Sequence, residues 1–358
     1  MSLLLGIDIG TSSVKAVSPG WNTITFDLTS GTSGAAWSGT IDGLYIDPMN
    51  ATGIFKIDYV RLSTVIPTSP NNIPPQLAIT SPSFISGPDY ATTIANNPWD
   101  MDDSGDVTTQ YNTVGGTFSG GVYTGTNPNG NSDPGVVLNV PTPINTKQFK
   151  YMTYRMKLDG QFNTDTGGSV ARVIWWTTIP QESSTSNDIV FYEGYQTVSF
   201  DLNKIKLEPG SPVWSGSAPK VFRLDPHEFT TPRTFHVDYV MLTGDTTANS
   251  SFNIRYNTSD GDGAAPTPQF FFDNDANGFN GTPITCTSST SVAALGNFDV
   301  FLPMAIRYSP PPPVSPVGST CTWDTSSVPN GTYYIYGLAS DGADTAQIYS
   351  QTPVVVSH

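Results

Sequence analysis

The chain has 358 residues, a net charge of −15 and only 13% charged residues, set against 33 glycines and 30 prolines. The acidic balance excludes a nucleic-acid surface, which needs a basic face, and so much Gly and Pro excludes a helical protein. Hydrophobic residues at 37% and aromatics at 11% still suffice for cores, and no apolar run is long enough to cross a membrane.

The chain opens with Leu3-Leu4-Leu5-Gly6-Ile7-Asp8-Ile9-Gly10-Thr11, continuing to Val17, a pattern of two short strands around a turn. Gly6 and Asp8 interrupt the apolar start, so it is not a signal peptide. The segment resembles the N-terminal phosphate-binding hairpin of xylulokinase-type sugar kinases, in which the Asp-x-Gly-Thr turn faces ATP phosphates. The resemblance ends at Val17, with no counterpart of the remaining ATPase elements downstream. Residues 1–17 are therefore expected to be a fusion or chimeric start without kinase activity.

An internal repeat follows. Trp21 to Leu28, Trp37-Ser38-Gly39, Asp47-Pro48 and Phe55 to Leu62 recur in the same order as Tyr195 to Leu202, Trp214-Ser215-Gly216, Asp225-Pro226 and Phe235 to Leu242. Each block alternates with period two, as a half-buried strand does: Val198, Phe200 and Leu202 share one face, and Thr197, Ser199 and Asp201 the other. Only the second copy has further strands upstream. The expected organisation is an incomplete jelly roll over 18–64, a complete jelly roll over 65–245 and an Ig-like sandwich over 246–358, an all-β chain throughout. With its missing upstream half, the incomplete copy is expected to self-associate or to pack on its neighbour through residues 1–64.

The repeat resembles the β-jelly-roll carbohydrate-binding modules appended to bacterial glycanases and surface proteins. The C-terminal Trp323-Asp324-Thr325-Ser326-Ser327-Val328-Pro329-Asn330-Gly331-Thr332-Tyr333-Tyr334 resembles the last third of fibronectin-type modules. The resemblance implies a secreted or cell-surface protein whose partner is a polysaccharide or a cell-surface glycan. Its role would be non-catalytic, as a glycan binder or structural spacer; the alternative is a glycoside hydrolase or lyase built on the middle jelly roll.

Sugar recognition needs flat aromatic rings for the apolar pyranose face and polar groups at the edge. The candidate platform is Trp176 with Arg172, Tyr151, Tyr192 and Trp99. Strand parity sets Trp175 and Trp176 on opposite faces and groups Trp176 with Arg172. Glu182 and Glu193 are weak candidates for a carboxylate pair, and no other catalytic constellation is present. Asp273, Asp275 and Asn277, followed by Gly278, match the start of a Ca²⁺ loop, although Ile284 replaces the closing Glu of an EF-hand. Asp100, Asp102, Asp103 and Asp106 form a second acidic cluster with the same potential. Cys286 and Cys321 could form one disulfide in an oxidising compartment or remain two buried thiols.

Overall fold

A computed structural model of the chain describes residues 3–8, 12–17, 74–160, 168–177, 183–192, 194–260, 263–290 and 319–358. The chain is all-β. At the N-terminus Leu3–Asp8 (β1) and Ser12–Val17 (β2) form an antiparallel hairpin with Gly6 opposite Val14. The incomplete repeat over 18–64 and its proposed association lie outside the described residues.

The next strand, Gln76–Ser81 (β3), precedes the first sandwich in the chain. That sandwich comprises Val107–Tyr111 (β4), Val114–Phe118 (β5), Tyr123–Thr126 (β6), Gly135–Leu138 (β7), Tyr151–Leu158 (β8) and Gly168–Trp176 (β9). It continues through Ser184–Thr185 (β10), Ile189–Tyr192 (β11), Gly194–Asp201 (β12), Val221–Asp225 (β13) and Thr234–Thr243 (β14). Sheet I runs β10-β9-β13-β7-β4, with β11 also on β9; sheet II runs β12-β8-β14-β6-β5. All these pairs are antiparallel, and the two layers make a jelly-roll sandwich.

Alternation decides what each layer buries. Met152, Tyr154, Met156 and Leu158 turn inward from β8, opposite Ala171, Val173 and Trp175 of β9 and Phe222 and Leu224 of β13. Trp214 is fully buried and packs edge-on against Trp175 at 5.2 Å, its indole N–H donating to the Phe149 carbonyl at 2.9 Å. Val198, Phe200 and Leu202 pack on this core, whereas Thr197, Ser199 and Asp201 pair with the outward residues of β8.

His227 is also buried, between the rings of Phe229 and Phe235, and its Nδ1 accepts the Phe229 N–H at 3.2 Å. Burial pushes its imidazole down to about 4 from 6.5. The folded state therefore binds this proton less readily than the unfolded chain does. The stability it contributes is present above pH 6.5 and is lost as the pH falls toward 4. In urea titrations across that window, the wild type is expected to lose up to about 3 kcal/mol more than His227→Gln. Parallel pH profiles would contradict this.

The second sandwich contains Thr246–Ala248 (β15), Ser251–Ser259 (β16), Gln269–Asp273 (β17), Thr282–Ile284 (β18), Cys286–Thr290 (β19), Ser319–Asp324 (β20), Gly331–Ser340 (β21), Thr345–Tyr349 (β22) and Val354–Val356 (β23). Its sheets run β15-β23-β21-β17-β18, with β22 on β21, and β19-β20-β16-β3. The β15–β23 pair is parallel. Cys286 and Cys321 are bonded across β19 and β20, with Cα atoms 5.1 Å apart.

The placement of β3 corrects the sequence reading, which put residues from 65 onward in the middle jelly roll. This strand pairs with β16, and Leu77 and Ile79 belong to the core around Trp323 and Ile335. The chain thus starts the second sandwich, builds the first, and returns. Where it crosses, Phe84 lies over the Tyr151 ring at 5.4 Å, and the Asp245 carboxylate accepts from the Tyr151 hydroxyl at 2.7 Å and the Lys150 ammonium at 2.6 Å.

Candidate functional site

The outward face of sheet II gathers a group of aromatic and charged side chains that stay out of the core. On β8 the residues between the buried ones are Arg155 and Lys157. Their neighbours across the ladder are Tyr195 and Thr197 on β12, and His236 and Tyr239 on β14. A β-bulge at Asp238 adds one residue to β14. Val237 and Val240 both reach the core, so Asp238 and Tyr239 between them both stay out of it, half-buried.

These groups hold one another. The Arg155 guanidinium lies over the Tyr195 ring, 4.2 Å from its centroid, and is ion-paired to Asp238. The Tyr239 hydroxyl hydrogen-bonds Thr197. Next to them the Asp159 carboxylate takes His236 Nε2 at 2.7 Å and Lys157 Nζ at 2.7 Å, while His236 Nδ1 meets Thr124 Oγ1 at 3.0 Å. Burial opposes the charge on Asp159, but hydrogen bonds from Lys157 and His236 outweigh it and hold the carboxyl below its usual range. Burial raises both Tyr195 and Tyr239, so both are neutral phenols at physiological pH. The result is a half-buried surface with two tyrosine rings and polar groups of both signs at their edges.

Residues singled out from the sequence are scattered by comparison. Trp176 and Arg172 share the outward face of sheet I, where Trp176 is half-buried and Trp175 is 1% exposed on the core side. Arg172 is engaged by Asp188 at 2.8 Å and Glu228 at 3.6 Å. Beside it, Arg223 binds Asp133 at 2.6 Å and Asp225 at 2.5 Å and lies over the Tyr111 ring. Burial pushes Asp225 up to about 9 against the pull of Arg223. Gly135 makes room for this packing, because a Cβ there would fall 2.2 Å from Arg223 Nε.

Trp99 and Tyr151 do not join that platform. Trp99 is 1% exposed, inside the core with its indole N–H on the Asn139 carbonyl at 3.1 Å. Tyr151 is on the other sheet, buried under Phe84 and bound to Asp245. Trp99 packs in the core and Tyr151 is buried outside it, under Phe84, and composition alone cannot separate either use from a surface one. Tyr192 is described by its backbone, opposite Gly168; Glu182 and Glu193 lie outside the described residues.

In the second sandwich, Asp273 and Asp275 line a cleft of about 350 Å³ with Asn274 and Asn280. Asp273 is buried and accepts the Tyr349 hydroxyl at 2.8 Å, an arrangement in which burial and the carboxylate push that phenol up to about 12. Asp275 accepts the Asn277 N–H at 2.9 Å, and the Asn277 carbonyl faces Tyr349.

Fold and surface together define a two-layer antiparallel jelly roll with an aromatic, charge-edged sheet face, joined to a second β-sandwich. No family model matches the sequence, and no curated protein matches it. Among solved structures, the chain is similar to a family 4 carbohydrate-binding module, at 16% identity over 38% of this chain and 93% of that one, with a TM-score of 0.28. It is also similar to a family 29 carbohydrate-binding module, at 13% identity over 38% and 76%, TM-score 0.26. A third is the family 11 carbohydrate-binding module from Clostridium thermocellum in complex with a β-1,3-1,4-mixed-linked tetrasaccharide, at 14% identity over 48% and 96%, TM-score 0.28.

Proposed function

We propose that the first sandwich binds a polysaccharide through the outward face of sheet II, as a non-catalytic module of an extracellular protein. The observation that carries this reading is the joint placement of Tyr195 and Tyr239 with Arg155, Asp238, Lys157 and Asp159 on one sheet face. A pyranose ring presents apolar C–H groups on its faces and hydroxyls at its rim. Neutral tyrosine rings suit the former, and a fixed set of donors and acceptors suits the latter. Because the ion pairs already hold the side chains, little conformational entropy is lost on binding.

The disulfide is compatible with an oxidising compartment. The sheet I face supplies a second reading, since Trp176 is half-buried there beside Arg172, which is ion-paired to Asp188. Retention of the full chain on soluble and insoluble polysaccharides, with a reducing-sugar assay of the same mixtures, tests the proposal. Retention without sugar release is expected. Release of reducing ends would favour the hydrolase alternative, and no retention on any polysaccharide would overturn the binding role.

A further inference from the structure

We propose that the second sandwich carries a saccharide site of its own, formed by the ring of Phe279 and the polar cleft beside it. Phe271 on β17, Tyr336 on β21 and Tyr349 on β22 stand opposite one another across the ladder, and none of the three belongs to the core around Trp323. Phe271 stacks on Tyr336 at 4.7 Å. Phe279 closes the row, stacked on Tyr349 at 4.6 Å and edge-on to Tyr336 at 5.3 Å. The result is a layer of four rings outside the core, with Phe279 37% exposed.

The backbone is held so as to present this ring. Phe279 has a φ of 50°, a left-handed conformation that disfavours every residue but glycine and a bulky one most. Its N–H donates to the Tyr349 hydroxyl at 2.9 Å, and its carbonyl accepts the Tyr336 hydroxyl at 3.0 Å. The two phenol groups thus fix the loop. One face of Phe279 is covered by Tyr349, and its exposed area is what remains for a ligand.

The polar half adjoins it in the loop between β17 and β18. The cleft of about 350 Å³ is edged by the exposed Asn274, Asp275, Asn280 and Thr282, and no Lys, Arg or His lines it. Among the described residues, the side-chain amides of Asn274 and Asn280 have no hydrogen-bond partner. Asp273 links the halves, because it lines the cleft and accepts the Tyr349 hydroxyl at 2.8 Å.

This chemistry selects the occupant. A flat ring suits the C–H face of a pyranose, and free amides with a carboxylate suit its hydroxyls, whereas a cleft without cations disfavours phosphates and acidic ligands. The volume is at the small end for ligand sites and suits a short saccharide segment. A protein partner would bury about 800 Å² per side, far more than one exposed ring offers. The site is separate from the sheet II face, and a polymer long enough to engage both would be held more tightly than by either alone.

The test titrates cellohexaose, xylohexaose, mannohexaose and chitohexaose one at a time into the isotope-labelled full chain, read by amide NMR. At least one should shift the side-chain amides of Asn274 and Asn280 and the backbone amide of Phe279 along one saturable curve. Tyr195→Ala should leave these shifts in place. Phe279→Gly, which accepts the same left-handed backbone, should weaken the binding read there by at least about tenfold. Asn280→Ala, at an exposed position that keeps the rings, should weaken it as well and serves if Phe279→Gly displaces the loop. Shifts confined to Tyr195 and Tyr239 would leave the sheet II reading standing and overturn this one. So would unchanged affinity in both Phe279→Gly and Asn280→Ala, or shifts that follow protein concentration without sugar, the sign of a second copy on this face.

Discussion

Trp214→Ala is expected to cost the first sandwich about 3–5 kcal/mol, the range for removing a fully buried large aromatic. Three losses combine. The cavity opens between Trp175 and Phe222, whose rings lie 5.2 and 5.7 Å from the indole and belong to a β layer that cannot collapse far. The apolar area of the largest side chain is lost. The Phe149 carbonyl loses the indole donor, leaving a buried acceptor to find another. Chemical denaturation should shift the midpoint of the first sandwich strongly; a loss below about 1 kcal/mol would show that Trp214 is not the keystone of this core.

The second large effect falls on the other sandwich. Replacing both Cys286 and Cys321 by Ser should destabilise it by about 4 kcal/mol, from the loop-closure entropy of a bond with a sequence separation of 35. Cys321 is fully buried beneath Trp323 and Ile254 in the same core, so the serine hydroxyl adds a desolvation cost. The same shift should follow reduction of the wild type, and the unfolding of the first sandwich should not move. An unchanged second transition would mean that β19 is held by its ladder alone.

Much of this architecture was legible because period-two alternation is local. The faces of β12 could be read directly, with Val198 and Phe200 packed on the core and Thr197 and Ser199 turned from it. The parity of Trp175 and Trp176 followed from the same rule, with one side chain in the core and the other half-buried. Strand partnership was not legible. Nothing in Gln76–Ser81 announces a partner at Ser251–Ser259, because pairing between segments some 170 residues apart depends on the assembled sheets.

The candidate face was missed for a related reason. Arg155, Lys157 and Tyr239 come from strands distant in sequence, and the bulge that releases Asp238 and Tyr239 together breaks the expected alternation. A signal was nonetheless present in the repeat. Tyr195 corresponds to Trp21, and Asp238-Tyr239 to Asp58-Tyr59, so both copies carry an aromatic residue and an Asp-Tyr pair at these positions. A large aromatic such as Trp99, in contrast, carries no local mark that tells core from surface.

Retention of the full chain and two variants on a polysaccharide that binds the wild type tests the central claim most directly. Tyr195→Ala removes a ring from the sheet II face, and Trp176→Ala removes one from the sheet I face. Tyr195→Ala should weaken retention by at least about tenfold, or about 1.4 kcal/mol, with Tm nearly unchanged, while Trp176→Ala retains wild-type affinity. Unaltered retention in Tyr195→Ala together with its loss in Trp176→Ala would place the binding face on the opposite sheet and contradict the account.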